Sequence, residues 1–121
     1  MGQLEDNAPY TATETPPIDL EHLYGTFDQD RKIVEELLAL YLDTTPPLLE
    51  RLKTAIELKD VTGAKAAHEL KGASAYIAAR EMADLAREAE QAIGNGAWEQ
   101  AGEQMEQMET AFIRVLAFAH Q

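Results

Sequence analysis

Residues 98–119 read WEQAGEQMEQMETAFIRVLAFA. Trp98, Ala101, Met105, Met108, Phe112, Val115 and Ala119 recur at spacings that alternate three and four. That is the period of a helix with a single apolar seam of the coiled-coil kind. Such a seam needs other helices to cover it. The Met and aromatic side chains lie within it, so they read as core packing rather than as a ligand box.

The chain before this stretch supplies the partners. Met82, Leu85, Ala89 and Ile93 mark a fourth helix that stops at Gly94-Asn95-Gly96, a strong breaker. A third helix runs from about Val61 to Ala79, with Ala66, Leu70, Ala73 and Ile77 inward. Before it, Val34, Tyr41, Leu48 and Ala55 recur every seven residues, flanked by Leu38 and Leu52. This predicts a helix from Asp28 or Asp30 to about Lys59. Pro46 and Pro47 fall inside it, and proline normally ends or kinks a helix. The seven-residue phase is unbroken across them, so one long kinked helix is expected. Asp19 is the predicted N-cap of a short helix around Leu20 and Leu23, ending at Gly25.

Strand signals are missing: there are no alternating β-branched runs that could flank an Asn-Gly or Asp-Gly hairpin turn. Residues 1–17 hold Pro9, Pro16 and Pro17 among Thr11, Thr13 and Thr15, with no hydrophobic period. They read as a disordered tail or a linker. The expected fold is all-α: an antiparallel four-helix bundle with a short additional N-terminal helix, over residues 18–121.

Composition narrows the function classes. A chain of 121 residues suits one domain. Its net charge of -12 would repel nucleic acid. Without cysteine it has neither disulfides nor thiolate metal sites. No apolar stretch approaches membrane-spanning length, and the N-terminus lacks a signal-peptide pattern. An intracellular protein is expected.

His68 stands out by its direction. Each helical residue advances about 100°. On that count Ala66, Leu70, Ala73 and Ile77 cluster opposite His68, which should face solvent. Ala64 and Lys65 lie one turn before it, Lys71 and Gly72 one turn after, and Ala75 two turns after. The histidine is thus flanked by two lysines and three positions with almost no side chain. A glycine inside a helix costs about 1 kcal/mol relative to alanine. On an outward face, Gly72 points to the close approach of another molecule. From Val61 to Arg80 the chain carries Lys65, Lys71 and Arg80 against Glu69 alone, a locally basic stretch. Neutral imidazole is nucleophilic near pH 7, and lysine supplies a point charge for phosphate. His68 therefore reads as a phosphoryl acceptor.

The stretch Ala67-His68-Glu69-Leu70-Lys71-Gly72-Ala73-Ser74-Ala75-Tyr76-Ile77-Ala78-Ala79 resembles the signature of histidine-containing phosphotransfer (HPt) domains, roughly A-H-x-L-K-G-[SA]-[SA]-x-x-[IVL]-G-[AL]. The likeness extends to Tyr41–Leu49, Leu85 and Glu90, over about 100 residues. It implies a phosphoryl carrier without an ATP site, rather than an enzyme in its own right. Such domains take a phosphoryl group from a receiver's aspartyl phosphate onto histidine and pass it to another receiver. The resemblance makes His68 the acceptor through Nε2, Lys71 the group that steadies the phosphoryl, and Gly72 the clearing for the receiver's loops. Ala64, Lys65 and Ala75 would belong to the docking surface. Mg²⁺ would come with the receiver, and the carrier would need no cofactor of its own. Expected partners are receiver domains of response regulators or of a hybrid sensor histidine kinase, met in the cytoplasm by a monomer. The family often has Gly where this chain has Ala78, at the turn into the fourth helix. Ser74 reads as structural, its hydroxyl able to bond a carbonyl one turn earlier.

Other readings fit less of the sequence. His68-Glu69-Leu70-Lys71 also matches the phosphosite of a sensor kinase dimerisation domain, but those sites usually continue Thr-Pro, where Gly72-Ala73 stand here. In a helical interaction module without chemistry His68 would be incidental, and no label would pass to it from a phosphorylated receiver. A metal site is not expected, because His22, His68 and His120 are scattered. Glu69 projects a quarter turn from His68, a poor orienting partner for hydrolysis.

Overall fold

A computed structural model describes residues 16–120. The tail predicted over residues 1–17 falls outside them except for Pro16 and Pro17, of which Pro17 is buried. The helices are α1 (Leu20–Thr26), α2 (Arg31–Glu57), α3 (Gly63–Tyr76), α4 (Arg80–Gly94) and α5 (Trp98–Ala119), and no strand occurs among the described residues. Asp19 and Asp30 cap α1 and α2, each accepting the backbone N–H three residues on. Gly96 leads into α5 with a φ of 70°.

α2 to α5 close a ring in which each packs on the next and α5 returns to α2. The cross-links run antiparallel. Tyr41, Arg51 and Ala55 of α2 meet Ser74, Glu69 and Gly63 of α3 in reverse order. Lys53 of α2 pairs with Glu109 of α5 at 3.5 Å, and Glu81 of α4 pairs with Arg114 of α5. The expected four-helix bundle with a short N-terminal helix is what the chain forms. α1 is tied across the far end, where Asp19 N–H donates to the Ala78 carbonyl at 3.0 Å and the Asp19 carboxylate pairs with Arg80 at 3.2 Å.

α2 is one helix through Pro46 and Pro47. Neither proline has an N–H, so the carbonyls of Leu42 and Asp43 lose their helical partners. Both prolines are exposed, which keeps them out of the core. The inward face differs from the seven-residue reading past this point: Thr45 and Leu49 are buried, while Leu48 is only half-buried. A straight helix drifts from a strict heptad, and the buried set follows the 3.6-residue period instead.

The α3 inner face is also turned by one residue. Ala67 and Ser74 are buried with Ala66, Leu70 and Ile77, and Ala73 is half-buried. The Ser74 hydroxyl lies 2.7 Å from the Tyr41 hydroxyl instead of bonding one turn back. Burial pushes the Tyr41 phenol above its ordinary pKa, with the Ser74 and Thr45 hydroxyls easing the rise. Ala78, where a glycine would be unstrained, keeps a left-handed φ of 62°. An L-residue there costs about 1–2 kcal/mol. The turn is nonetheless formed, because the Ala79 N–H reaches the Ser74 carbonyl at 2.8 Å.

Two glycines of α3 carry opposite expectations. A Cβ on Gly63 would stand 2.7 Å from the Ala55 Cβ, whereas one on Gly72 would meet nothing within 4 Å. Gly63→Ala should lower stability by about 1–3 kcal/mol through overpacking. Gly72→Ala should raise it by about 0.5–1 kcal/mol. Thermal unfolding checks both signs. Tyr41→Phe should lose about 1–3 kcal/mol by stranding the Ser74 hydroxyl. Adding Ser74→Ala should cost less than the sum of the two single changes, as a double-mutant cycle would report.

Candidate functional site

His68 leaves α3 on the side away from Ala67, Leu70 and Ser74, and its side chain is 65% exposed. The outward direction read from helical phase is the one the fold adopts. Its Nδ1 lies 3.1 Å from Oε2 of Glu90 on α4. The other oxygen of that carboxylate, Oε1, lies 3.0 Å from Nζ of Lys71. One carboxylate thus grips both the histidine and the lysine one turn beyond it.

The packing of α3 on α4 sets this register. Small buried residues lie on both helices: Ala66 and Ala67 on α3, Ala86 and Ala89 on α4. Glu90 follows Ala89 directly and emerges at the rim of the α3–α4 seam. Partial burial pushes its carboxyl up. Hydrogen bonds from Lys71 and His68, with their charges, outweigh that and hold its pKa below the ordinary glutamate value. Glu90 is therefore ionised at neutral pH and can only accept. His68 then donates from Nδ1–H, and the free lone pair of the neutral ring sits on Nε2.

Gly72 is exposed one turn after His68, and open space lies where its side chain would be. Helix–helix packing therefore does not account for it. Ala75 is exposed two turns on and borders a cleft of about 350 Å³ with His22, Ala78 and Arg80. Lys65 is exposed and makes no ion pair among the described residues. Ala64 is half-buried against the core and belongs to the outward clearing only in part. Glu69 turns away from His68 and pairs with Arg51 of α2 at 3.8 Å.

The locally basic stretch read from sequence is largely neutralised in the fold. Arg80 meets Asp19 at 3.2 Å, and Lys71 meets Glu90. Counting charges along one helix leaves out the carboxylates that neighbours bring. Glu90 was visible only as a position matching the HPt pattern. Its grip on His68 depends on how α3 and α4 align across 22 residues of sequence. The other two histidines lie elsewhere: His22 in α1, and His120 at the end of α5, where its Nδ1 lies 2.7 Å from the Leu116 carbonyl. No described helix is long and apolar enough to cross a membrane.

An exposed imidazole with its inner nitrogen held, a lysine beside it and a glycine clearing next to both can receive a group from a docked partner. No curated protein and no solved structure matches the chain. The family model of the Hpt domain matches residues 36–118, which include all of α3 and α4 and most of α2 and α5. The chain belongs to the Hpt domain family, whose members carry phosphoryl groups on histidine in two-component phosphorelays.

Proposed function

We propose that His68 accepts a phosphoryl group from the aspartyl phosphate of one receiver domain and returns it, reversibly, to an aspartate of another. The observation that carries this reading is the Glu90 carboxylate on Nδ1 of an exposed His68. It leaves Nε2 as the attacking atom. The Nε2 lone pair forms the P–N bond as the P–O bond to the receiver's aspartate breaks, and that carboxylate leaves. The ring keeps its Nδ1 proton throughout, so the product is a phosphorylated imidazolium facing Glu90. In the return step the ring leaves as neutral imidazole, with no proton to collect.

Lys71 has two calls on its charge. In the resting protein it is held by Glu90; with a phosphoryl on Nε2, its flexible stem lets the ammonium reach the new oxygens. Phosphoryl transfer depends mainly on positioning and charge, which Lys71 and the docked receiver supply together. Mg²⁺ belongs to the receiver in this reading and would offset charge on the transferring oxygens. Glu90 is the carboxylate in contact with the phosphosite and is already shared between His68 and Lys71, a poor oxygen set for a hard cation. Gly72, with Ala64, Lys65 and Ala75 around it, forms the surface on which the receiver's loops rest. The carrier works without ATP of its own, as a monomer in the cytoplasm where receivers act.

Incubation with a phosphorylated receiver and Mg²⁺ should place an acid-labile label on the wild-type chain and none on His68→Gln. Equal labelling of that variant would end the assignment. Lys71→Ala should slow transfer by about 10²-fold. Gly72→Leu should slow it too while leaving the unfolding transition in place.

Glu90 allows a separate check by NMR. Neutral His68 should be the Nδ1–H tautomer by its ¹⁵N shifts, and Glu90→Ala should move it toward Nε2–H. Lys71→Ala should raise the Glu90 pKa toward the ordinary glutamate value. Because the folded pKa is depressed, the stabilisation from Glu90 is complete above the ordinary value and is lost as pH falls through the depressed one.

A further inference from the structure

α4 ends at Gly94-Asn95-Gly96, a stretch that the phosphosite does not use. Gly96 has a φ of 70°, and its N–H donates to the Ile93 carbonyl at 3.0 Å. The Ala97 N–H donates to the Ala92 carbonyl at 2.8 Å. Two such bonds around a left-handed glycine cap a helix C-terminus. The cap accounts for the glycine. It also sets a glycine directly after Asn95, the one asparagine among the described residues.

An asparagine side chain can be attacked by the backbone nitrogen of the next residue, and glycine, without a Cβ, shields that nitrogen least. Asn95 is exposed, and its side-chain amide makes no hydrogen bond among the described residues. Open space lies where Gly94 and Gly96 would carry side chains. No basic side chain stands in the last turn of α4 to hold its carbonyls. What hinders the reaction is the cap itself. Ring closure needs the Gly96 nitrogen brought round to the Asn95 side chain, but Asn95 keeps a ψ of 0° and the Gly96 N–H is engaged by Ile93. Asn95 therefore reacts only when the cap opens, and helix ends open at the least cost.

We propose that Asn95 is a site of spontaneous deamidation, gated by opening of the α4 cap, and that the modification loosens the hold of Glu90 on His68. The Gly96 nitrogen attacks Asn95 Cγ and forms a new C–N bond. The bond from Cγ to the side-chain nitrogen breaks, and that nitrogen leaves with the Gly96 proton as ammonia. Water then opens the cyclic imide at either carbonyl, giving aspartate or isoaspartate. The imide has no N–H at Gly96, so the Ile93 carbonyl loses its donor. Isoaspartate adds a carbon to the main chain within the turn, which displaces both cap bonds. Either product sets a carboxylate at the negative end of the α4 dipole. Glu90 lies one turn before Gly94, the last residue of α4, so fraying of that turn reaches it. The link to His68 rests on the reading of Glu90 as the group that orients the phosphoacceptor.

The test keeps the full chain at mildly alkaline pH and follows residue 95 by peptide mass mapping. The wild type should gain the mass of an amide-to-acid change there. Asn95→Gln should gain it far more slowly, because its ring would need a sixth member. Gly94 has no left-handed φ and open space at its Cβ, so Gly94→Ala should strengthen the last turn and slow the change about two- to fivefold. The isoaspartate fraction, separated by ion exchange, should have a Tm about 2–5 °C lower. Its His68 ¹⁵N shifts should move toward the Nε2–H tautomer. An unchanged mass at residue 95 in the wild type would overturn the site, and a wild-type rate in Gly94→Ala would overturn the gating. Unchanged His68 shifts in the isoaspartate fraction would overturn the link to the phosphosite. None of these readouts involves phosphoryl transfer, so failure of the phosphoacceptor reading would show separately, as absence of label on wild-type His68.

Discussion

How closely α3 can approach its neighbours governs the rest of the molecule. Gly63 lies so near Ala55 of α2 that a single methyl group would not fit between them. On the other flank, α3 packs on α4, and both helices bury alanines. Short side chains let helix axes draw together, and close axes leave little freedom to slide. The register across the α3–α4 seam brings the Glu90 carboxylate to the His68 ring. A bulkier seam would hold the helices farther apart and leave the histidine to tumble between tautomers. The chemistry at the surface is thus decided by residues that never touch it.

Charge is arranged with similar economy. The chain is strongly acidic, yet the carboxylate at the phosphosite is shared between two partners and adds little free negative charge there. Glu69, next in sequence to the histidine, is drawn aside by Arg51. Anionic groups can therefore approach the His68 face against less repulsion than elsewhere on the surface. Lys71 is held without being consumed: a half-buried ion pair at the surface is worth on the order of 1 kcal/mol and can be exchanged for a stronger anion.

Much of this was legible in the sequence, for identifiable reasons. Apolar spacing in residues 98–119 and before them announced the bundle, because a buried stripe must repeat with the helix. The unbroken phase across Pro46 and Pro47 correctly carried α2 through both. The angle of His68 against Leu70 and Ile77 gave its outward direction, and the same angle separated Gly72, which faces solvent, from a packing glycine. Finer assignments were beyond such reading. One residue spans about 100°, too coarse to tell whether Ala73 or Ser74 sits deeper, or Leu48 or Leu49. The Tyr41–Ser74 bond, the grip of Glu90 and the lost basicity around Lys71 all depend on inter-helix register, which no single helix records. Gly63 was unremarked because its reason is the Ala55 methyl on another helix.

The two prolines of α2 have a consequence for how the bundle holds together over time. A helix propagates by adding one hydrogen bond per residue, and Pro46 and Pro47 remove two successive rungs. Hydrogen bonding along α2 is thinnest there, although the helix itself is unbroken. The half before the prolines is pinned by Tyr41, through its hydroxyl to Ser74 and its ring edge-on to Phe112. The half after them is pinned by the tight Ala55–Gly63 crossing. An opening that starts in the turn at Leu58 can spread back to the prolines and stop there, sparing the half that braces the outer end of α3. In effect, the helix contains its own firebreak.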